Sequence, residues 1–363
     1  MILLALLGAL YGVPSRMDSL IQDGLSFAYR ERYPEAFMLF GQIIQEYPEE
    51  PAGYVLKAAL WSLYMLDFTT REGEPEFFDL VETGIRKARA RLKVEQDSTQ
   101  RAWYEFFQGA AFLYRAERKV RHRDYLDAVK DGWRGYRALS HAVALDSTLY
   151  DAYLGLGTVH FALSEVPRWI RVLLPFLPPG DRERGLREMR WAAERGRYVR
   201  VLAQDALAWT LAYDGRAREG LPIAEALVRR YPQSRAFRWT LSFVQRRLGH
   251  WQDWADNHQV IFYLTIRDQW AYPYDVALAS YYLAVARFYL RDREGARWYL
   301  ENAEAFLYQA DRKVEGWKKL EGWIRKLYRQ LGLKPRGPLA RVDPAFLRMV
   351  DSLRKHAPSP QRP

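Results

Sequence analysis

The chain has 363 residues and a formal net charge of +11, with 55 lysine and arginine residues against 44 aspartate and glutamate residues. It contains no cysteine, which excludes disulfides, cysteine nucleophiles and a lipid-attached mature N-terminus. Aromatic residues make up 15% of the chain and no glycine- and serine-rich linker divides it, so the composition favours one continuous helical array over separate globular domains.

The chain opens with an apolar run, ILLALLGAL, directly after Met1. The segment 13–15 that comes after it offers small residues at the positions that a signal peptidase recognises, so residues 1–15 are predicted to form a signal peptide cleaved before Arg16. The mature protein would then be periplasmic or otherwise exported. No lysine or arginine precedes the run, and the alternative is a structural starting helix of a cytoplasmic protein.

Residues 17–50 carry the clearest copy of a 34-residue rhythm. Small residues stand where two antiparallel helices come closest, aromatic residues fill the wedge between them, and a proline ends the second helix. These positions are Leu20, Gly24, Phe27, Ala36, Phe40 and Pro48. The spacing therefore predicts a helical hairpin.

The rhythm returns along the chain, well at residues 201–234 and with an insertion in the copy that starts at Tyr150. Weaker copies start near Pro51, Ala102, Arg235 and Ala277, which gives seven predicted hairpins. Asp97 and Asp181 stand where a carboxylate can cap the helix that follows.

These residues resemble the tetratricopeptide-repeat superfamily, and segment 164–196 resembles its inclusion-body-clearance branch. The resemblance implies an all-α, right-handed solenoid of stacked helical hairpins over residues 16–333, followed by a C-terminal basic helix and tail at 334–363. It also implies a non-catalytic scaffold that binds a protein or peptide partner in its concave groove, without cofactor or metal.

In that superfamily the first helix of each hairpin faces the groove, at the second, fifth, ninth, twelfth and thirteenth places of each repeat. Applied to this chain, the register selects Tyr29, Trp103, Phe106, Tyr114, Trp209, Tyr213, Trp239, Phe243, Arg246, Tyr281, Phe288 and Tyr289. An aromatic wall of this kind suits an extended peptide or a partner helix, because rigid rings supply contact area at small entropic cost. The alternative is that the C-terminal helices fold back and fill the groove.

The basic residues concentrate at 115–123, 182–200 and 312–355. This charge favours an acidic partner or an anionic surface, and the alternative is a solvated, arginine-rich helix face. The stretch WKKLEGWIRKLYRQLGLKPR could stack on single-stranded nucleic acid, or it could be a capping helix with one apolar face. Predicted export disfavours the nucleic acid.

Prolines and arginines interrupt the apolar insertion at 164–180, so it cannot be a transmembrane helix. We expect a hydrophobic plug over one hairpin, or an exposed patch for a partner or a membrane surface.

Catalytic motifs are absent from the sequence: none of the six histidines forms a metal-ligand pair, and there is no phosphate-binding glycine loop or nucleophile elbow. His160 takes a position between helices and is predicted to be a core residue. The alternative is an all-helical toroid that hydrolyses glycans, with paired carboxylates such as Asp205 and Asp214.

Overall fold

A computed structural model describes residues 13–166, 180–268 and 271–355. These residues form sixteen α-helices and one 3₁₀ turn at Gly337–Leu339, with no strand among them, so the all-α prediction is confirmed. The helices are α1 (Ser15–Ala28), α2 (Tyr33–Glu46), α3 (Pro51–Asp67), α4 (Glu74–Val94), α5 (Ser98–Arg121), α6 (Tyr125–Leu145), α7 (Ala152–Ser164), α8 (Arg182–Arg195), α9 (Arg200–Tyr213), α10 (Ala217–Arg230), α11 (Arg235–Leu248), α12 (Trp251–Arg267), α13 (Pro273–Tyr289), α14 (Arg293–Gln309), α15 (Trp317–Leu331) and α16 (Pro344–Lys355).

The chain divides into two compact units. Of the described residues, unit 1 contains 13–63, 73–166 and 180–211, and unit 2 contains 64–72, 212–268 and 271–355. Helices α3 and α9 each begin in unit 1 and end in unit 2.

The first hairpin of unit 1 has the packing that its spacing predicts. A Cβ atom added at Gly24 on α1 would overlap the ring of Phe40 on α2, and the Ala36 side chain is fully buried. The small residues therefore set the distance between the two helices, as expected for the repeat.

Two other hairpins of unit 1 cross even more closely, glycine against glycine. A Cβ at Gly157 on α7 would lie 2.6 Å from the carbonyl oxygen of Gly185 on α8, and a Cβ at Gly185 would lie 2.7 Å from the carbonyl oxygen of Gly157. Gly109 and Gly135 form a similar crossing between α5 and α6. At these crossings backbone meets backbone, so any side chain would force the helices apart.

In unit 2 the helices cross through alanine and leucine. Ala284 on α13 packs with Ala296, Leu300 and Ala303 on α14, all of them buried. The apolar face of α15 continues the same core with Leu320, Ile324 and Leu327.

The C-terminal helix α16 packs against α12 and α14 through Phe346, whose side chain is fully buried. The Phe346 ring lies 5.4 to 5.7 Å from the rings of Trp298, Phe306 and Phe262. The basic segment predicted at 334–363 thus contains a packed helix, and residues 356–363 lie outside the described part.

Carboxylates cap two helices of unit 1 and order one turn. The side chain of Asp97 accepts a hydrogen bond from the backbone N–H of Gln100 at 2.9 Å, and Asp181 accepts one from Arg184 at 2.9 Å, which confirms both predicted caps. The buried Asp151 carboxylate accepts three backbone N–H groups, those of residues 197, 198 and 199, at 2.7 to 2.9 Å. It thereby orders the turn that leads into α9.

Two predictions fall on residues outside the described part. The signal peptide at 1–15 lies almost entirely in segment 1–12, and the insertion at 164–180 lies mostly in segment 167–179. Both stay predictions, as does the single solenoid over 16–333. Within the described residues no helix is long and apolar enough to cross a bilayer.

Candidate partner-binding surface

The turn at 196–199 meets the first hairpin inside unit 1. The hydroxyl of Tyr198 donates a hydrogen bond to the Asp18 carboxylate at 2.6 Å, and Arg197 forms an ion pair with the same carboxylate at 2.8 Å. Burial raises the pKa of Asp18, but its hydrogen bonds from Arg197 and Tyr198 outweigh burial, so the pKa is lowered overall. The carboxylate is therefore charged and holds the turn against α1.

This turn contacts two predicted groove residues of unit 1, Tyr29 and Trp103. The Trp103 ring lies 5.4 Å from the Tyr198 ring and is only 2% exposed. The Tyr29 hydroxyl donates a hydrogen bond to the Tyr198 carbonyl at 3.3 Å, and Phe106 is buried against Trp103. In this conformation Trp103 and Phe106 have almost no surface to offer a partner.

The remaining predicted residues of α5 and α9 differ in exposure. Tyr114 on α5 is partly buried, and burial raises the pKa of its hydroxyl to about 12. On α9, by contrast, Trp209 is 44% exposed and Tyr213 is 52% exposed. Those two rings therefore keep surface that a partner can reach.

A continuous line of rings runs across three helices of unit 2, and we call it the aromatic path: Trp239 on α11, Tyr282 and Tyr281 on α13, and Trp323 on α15. Ring centroids are 5.1 Å apart between Trp239 and Tyr282, 5.4 Å between Tyr282 and Tyr281, and 6.2 Å between Tyr282 and Trp323. Tyr281 also stacks on Trp323, with 5.8 Å between centroids. All four side chains are partly exposed.

The buried ring of His258 on α12 packs against two rings of the aromatic path, those of Tyr282 and Trp239. The His258 ring is nearly parallel to the Tyr282 ring at 5.1 Å and meets the edge of Trp239 at 5.3 Å. Its Nε2 is hydrogen-bonded to Ser242 Oγ at 2.7 Å, and Trp254 donates to the same oxygen at 2.8 Å. Burial, with a smaller contribution from the Arg246 charge, lowers the pKa of His258 to about 3, so the ring is neutral.

A second pair of exposed rings, Trp251 and Tyr289, lies at the C-terminal end of α13. Trp251 and Tyr289 stack at 4.3 Å with an angle of 5° between their planes, and they are 37% and 49% exposed. Phe288 contacts Tyr289 at 6.0 Å. The predicted residue Tyr289 therefore belongs to a ring cluster of unit 2, as Trp239 and Tyr281 do.

Two positively charged side chains, Arg246 and Lys319, border the aromatic path. Burial raises the pKa of both Tyr281 and Tyr282, to about 12 for Tyr281, and the charge of the exposed Arg246 on α11 opposes that effect only in part. The Lys319 ammonium lies 5.0 Å from the Trp323 ring, in a cation–π contact. At neutral pH the tyrosines are thus protonated hydrogen-bond donors.

The sequence register selected Trp239, Phe243, Arg246 and Tyr281 but missed Tyr282 and Trp323. Tyr282 follows Tyr281 directly, is partly exposed, and rests on the His258 ring. Trp323 belongs to the WKKLEGW stretch, whose alternation of aromatic and basic residues was the available signal.

Most of the stretch WKKLEGWIRKLYRQLGLKPR forms α15, which ends at Leu331. Two of its aromatic side chains, Trp317 and Tyr328, are buried, and the third, Trp323, joins the aromatic path. These three side chains do not form the continuous outward row of rings, interleaved with cations, that stacking on a single strand would need.

Other candidate chemistry is limited in the described part of the chain, which holds no group of three side chains that could bind a metal ion. His160 is a core residue as predicted: it is 1% exposed, and its Nδ1 is hydrogen-bonded to the buried Glu188 carboxylate at 2.6 Å. Asp205 lies on α9 and Asp214 directly follows it, and both are partly buried.

No protein-family model matches the chain, and no curated protein matches it. Among solved structures, the Cut9–Hcn1 hetero-tetramer of APC/C is similar over 90% of this chain, with 14% identity and a TM-score of 0.48, and this chain covers 52% of the matched chain. The C-terminal part of a TPR repeat-containing protein from Cytophaga hutchinsonii gives 11% identity, 82% and 97% coverage and a TM-score of 0.41. A tetratricopeptide repeat protein from Parabacteroides merdae gives 11% identity, 86% and 99% coverage and a TM-score of 0.38.

The helical hairpins and their small-residue crossings define the class of this protein: it is an all-α helical-repeat protein. Two of the solved structures named above are described as tetratricopeptide-repeat proteins, the superfamily that residues 17–50 resemble in sequence.

Proposed function

We propose that this protein is a non-catalytic interaction scaffold and that the aromatic path of unit 2 binds a segment of a protein partner. One observation supports this most directly: four rings from three successive first helices of hairpins touch one another and remain partly exposed. Each large ring can bury on the order of 150 to 250 Å². Rings at the surface of a fold are therefore effective anchors for a partner.

The path is organised before any partner arrives. Tyr282 rests on His258, and Tyr281 rests on Trp323, so the rings hold each other in place. Binding to a fixed surface loses little side-chain entropy, which favours affinity.

The packing of the C-terminal helices in the described part of unit 2 supports an accessible path. Helix α15 contributes Trp323 to it, and α16 packs through Phe346 on α12 and α14. The interpretation in which these helices fill the groove is therefore not the one that we adopt for unit 2.

The proposal extends to where the protein acts and to the charge of its partner. The apolar run at the N-terminus supports export to the cell envelope, and the net charge of +11 supports an acidic partner, since long-range attraction follows net charge. N-terminal sequencing of the protein purified from its native host tests export: we expect Arg16 as the first residue, and an intact N-terminus would exclude the cleaved signal.

A peptide array probed with the full chain tests binding. We expect the unmodified protein to bind a subset of peptides, and the double variant Trp239→Ala with Trp323→Ala to lose that binding. The matched control is Tyr263→Ala, which removes a ring of α12 that is 42% exposed and lies outside the aromatic path. Equal peptide binding by the double variant and the control would exclude the path as the binding surface.

A further inference from the structure

The aromatic path is rich in hydrogen-bond donors that have no partner in the protein. Among the described residues, Trp239 Nε1, Trp323 Nε1 and the hydroxyls of Tyr281 and Tyr282 make no intramolecular hydrogen bond, and none of these atoms is sealed from solvent. The exposed guanidinium of Arg246 likewise makes no ion pair within the described part of the chain. Indole N–H and guanidinium groups can only donate, so most of this surface awaits acceptors.

The path has no carboxylate among the groups that act on its tyrosines. The groups that influence the pKa of Tyr281 are Tyr282, Arg246 and Tyr289, and the group that influences the pKa of Tyr282 is Arg246. With pKa values raised by burial, both hydroxyls keep their protons at neutral pH and can donate them. A ligand that matches this surface offers many acceptors, few donors and flat apolar faces for the rings.

We propose that the aromatic path takes a proline-rich segment in the extended polyproline II conformation, which rests on the proposed function and deepens it by naming the class of partner. Proline has no backbone N–H, so such a segment presents carbonyl acceptors without the matching donors. The polyproline II helix has no internal hydrogen bonds, and all of its carbonyls remain available. Its pyrrolidine rings supply the apolar faces that pack on aromatic side chains.

The spacing of the rings agrees with this ligand. Polyproline II rises about 3.1 Å per residue. The ring steps of 5.1 Å from Trp239 to Tyr282 and 6.2 Å from Tyr282 to Trp323 each correspond to about two residues of such a segment. A ten-residue segment, about 31 Å long, is therefore long enough to cover the path.

A partner α-helix fits the surface less well. The backbone carbonyls of a helix already accept hydrogen bonds from its own N–H groups, so they would leave the donors of the path unmatched. A buried donor without an acceptor costs about 1–3 kcal/mol. Donor satisfaction thus favours the extended proline-rich segment over the helix.

The test uses the full chain and a fluorescein-labelled peptide of ten prolines, with binding followed by fluorescence anisotropy. We expect saturable binding to the unmodified protein. The double variant Tyr281→Phe with Tyr282→Phe keeps both rings and removes two donors, and we expect it to weaken binding about tenfold, as the loss of two neutral hydrogen bonds implies. Unchanged far-ultraviolet circular dichroism verifies that the variant is folded.

The matched control is Tyr263→Phe, which removes the hydroxyl of an exposed tyrosine of α12 outside the path and should leave the affinity unchanged. Failure of the ten-proline peptide to bind at millimolar concentration overturns the inference. The inference is also overturned if Tyr263→Phe weakens peptide binding as much as Tyr281→Phe with Tyr282→Phe does.

An amphipathic helical peptide of the same length separates this inference from the proposed function. If that peptide binds, if Trp239→Ala with Trp323→Ala abolishes its binding, and if the ten-proline peptide does not bind, the scaffold proposal stands and the proline-rich partner is excluded. If Trp239→Ala with Trp323→Ala changes the binding of neither of these peptides nor of any peptide of the array, both proposals are overturned.

Discussion

In unit 1 the ring of Trp103 is enclosed by the turn that carries Tyr198, whereas in unit 2 the ring of Trp239 remains at the surface beside Tyr282. Both residues belong to first helices of hairpins and were selected by the same register. The difference comes from the ordered turn at 196–199, which the Asp18 and Asp151 carboxylates hold in place. A position in a helical repeat therefore sets the direction of a side chain, while its exposure depends on what else packs there.

The units also differ in how their helices approach. Unit 1 brings Gly157 and Gly185 together backbone to backbone, and unit 2 separates its helices by the methyl groups of residues such as Ala284 and Ala303. If these contrasts determine stability, a substitution at a glycine crossing should have the largest effect and one at the aromatic path the smallest.

Gly185→Ala should destabilise the protein by about 3 kcal/mol, because the new Cβ would lie 2.7 Å from the carbonyl oxygen of Gly157 and neither helix can yield locally. Urea unfolding followed by circular dichroism measures the change. Gly132→Ala is the matched control on α6: outside its chain neighbours and its own helix backbone, no atom lies within 4 Å of a Cβ added there, and we expect a gain of about 0.5–1 kcal/mol from reduced backbone freedom. Similar losses in the two variants would contradict the close crossing.

Tyr198→Phe should cost about 1.5–3 kcal/mol, because it removes a hydrogen bond to the charged Asp18 carboxylate inside unit 1. The same unfolding experiment measures the loss. A cost below about 0.5 kcal/mol would mean that the turn at 196–199 is held by other contacts.

The stability of unit 2 should depend on the protonation of His258. Its pKa is lowered from 6.5 to about 3, so the unfolded chain binds a proton that the folded chain does not bind between these values, and stability falls as the pH falls below 6.5. Asp275 has the opposite slope, because burial raises its pKa from 3.8 to about 6 and its protonation stabilises the fold on acidification.

His258→Phe keeps a ring and isolates the histidine contribution. Between pH 7 and pH 5 we expect the unmodified protein to lose up to about 2 kcal/mol more stability than the variant. Thermal unfolding at several pH values provides the comparison, and parallel profiles would contradict the lowered pKa of His258 in the folded protein.

Tyr281→Phe should change the stability by less than about 0.5 kcal/mol, because the Tyr281 hydroxyl has no partner in the described part of the protein. This is the counterpart of Tyr198→Phe: the same atom is removed from both units, once from a hydrogen bond and once from the surface. A loss equal to that of Tyr198→Phe would remove the contrast between the two rings.

Much of the local architecture could be predicted because it rests on short-range sterics. Gly24 and Ala36 mark a helix crossing whatever the rest of the chain does, and Asp97 caps α5 through a hydrogen bond three residues away. The concealment of Trp103 could not be predicted, since Tyr198 is distant in the sequence and nothing near Trp103 indicates the contact. The support of Tyr282 by His258 is likewise a contact between two hairpins that no repeat spacing encodes.

The aromatic path is assembled one helix at a time, with α11, α13 and α15 each adding a ring or a pair of rings. Duplication or loss of a single hairpin in this region would lengthen or shorten the path by one step while leaving the neighbouring crossings intact. Descendants of such a gene could thus change the number of partner residues they recognise by recombination alone, without redesigning any contact that already works.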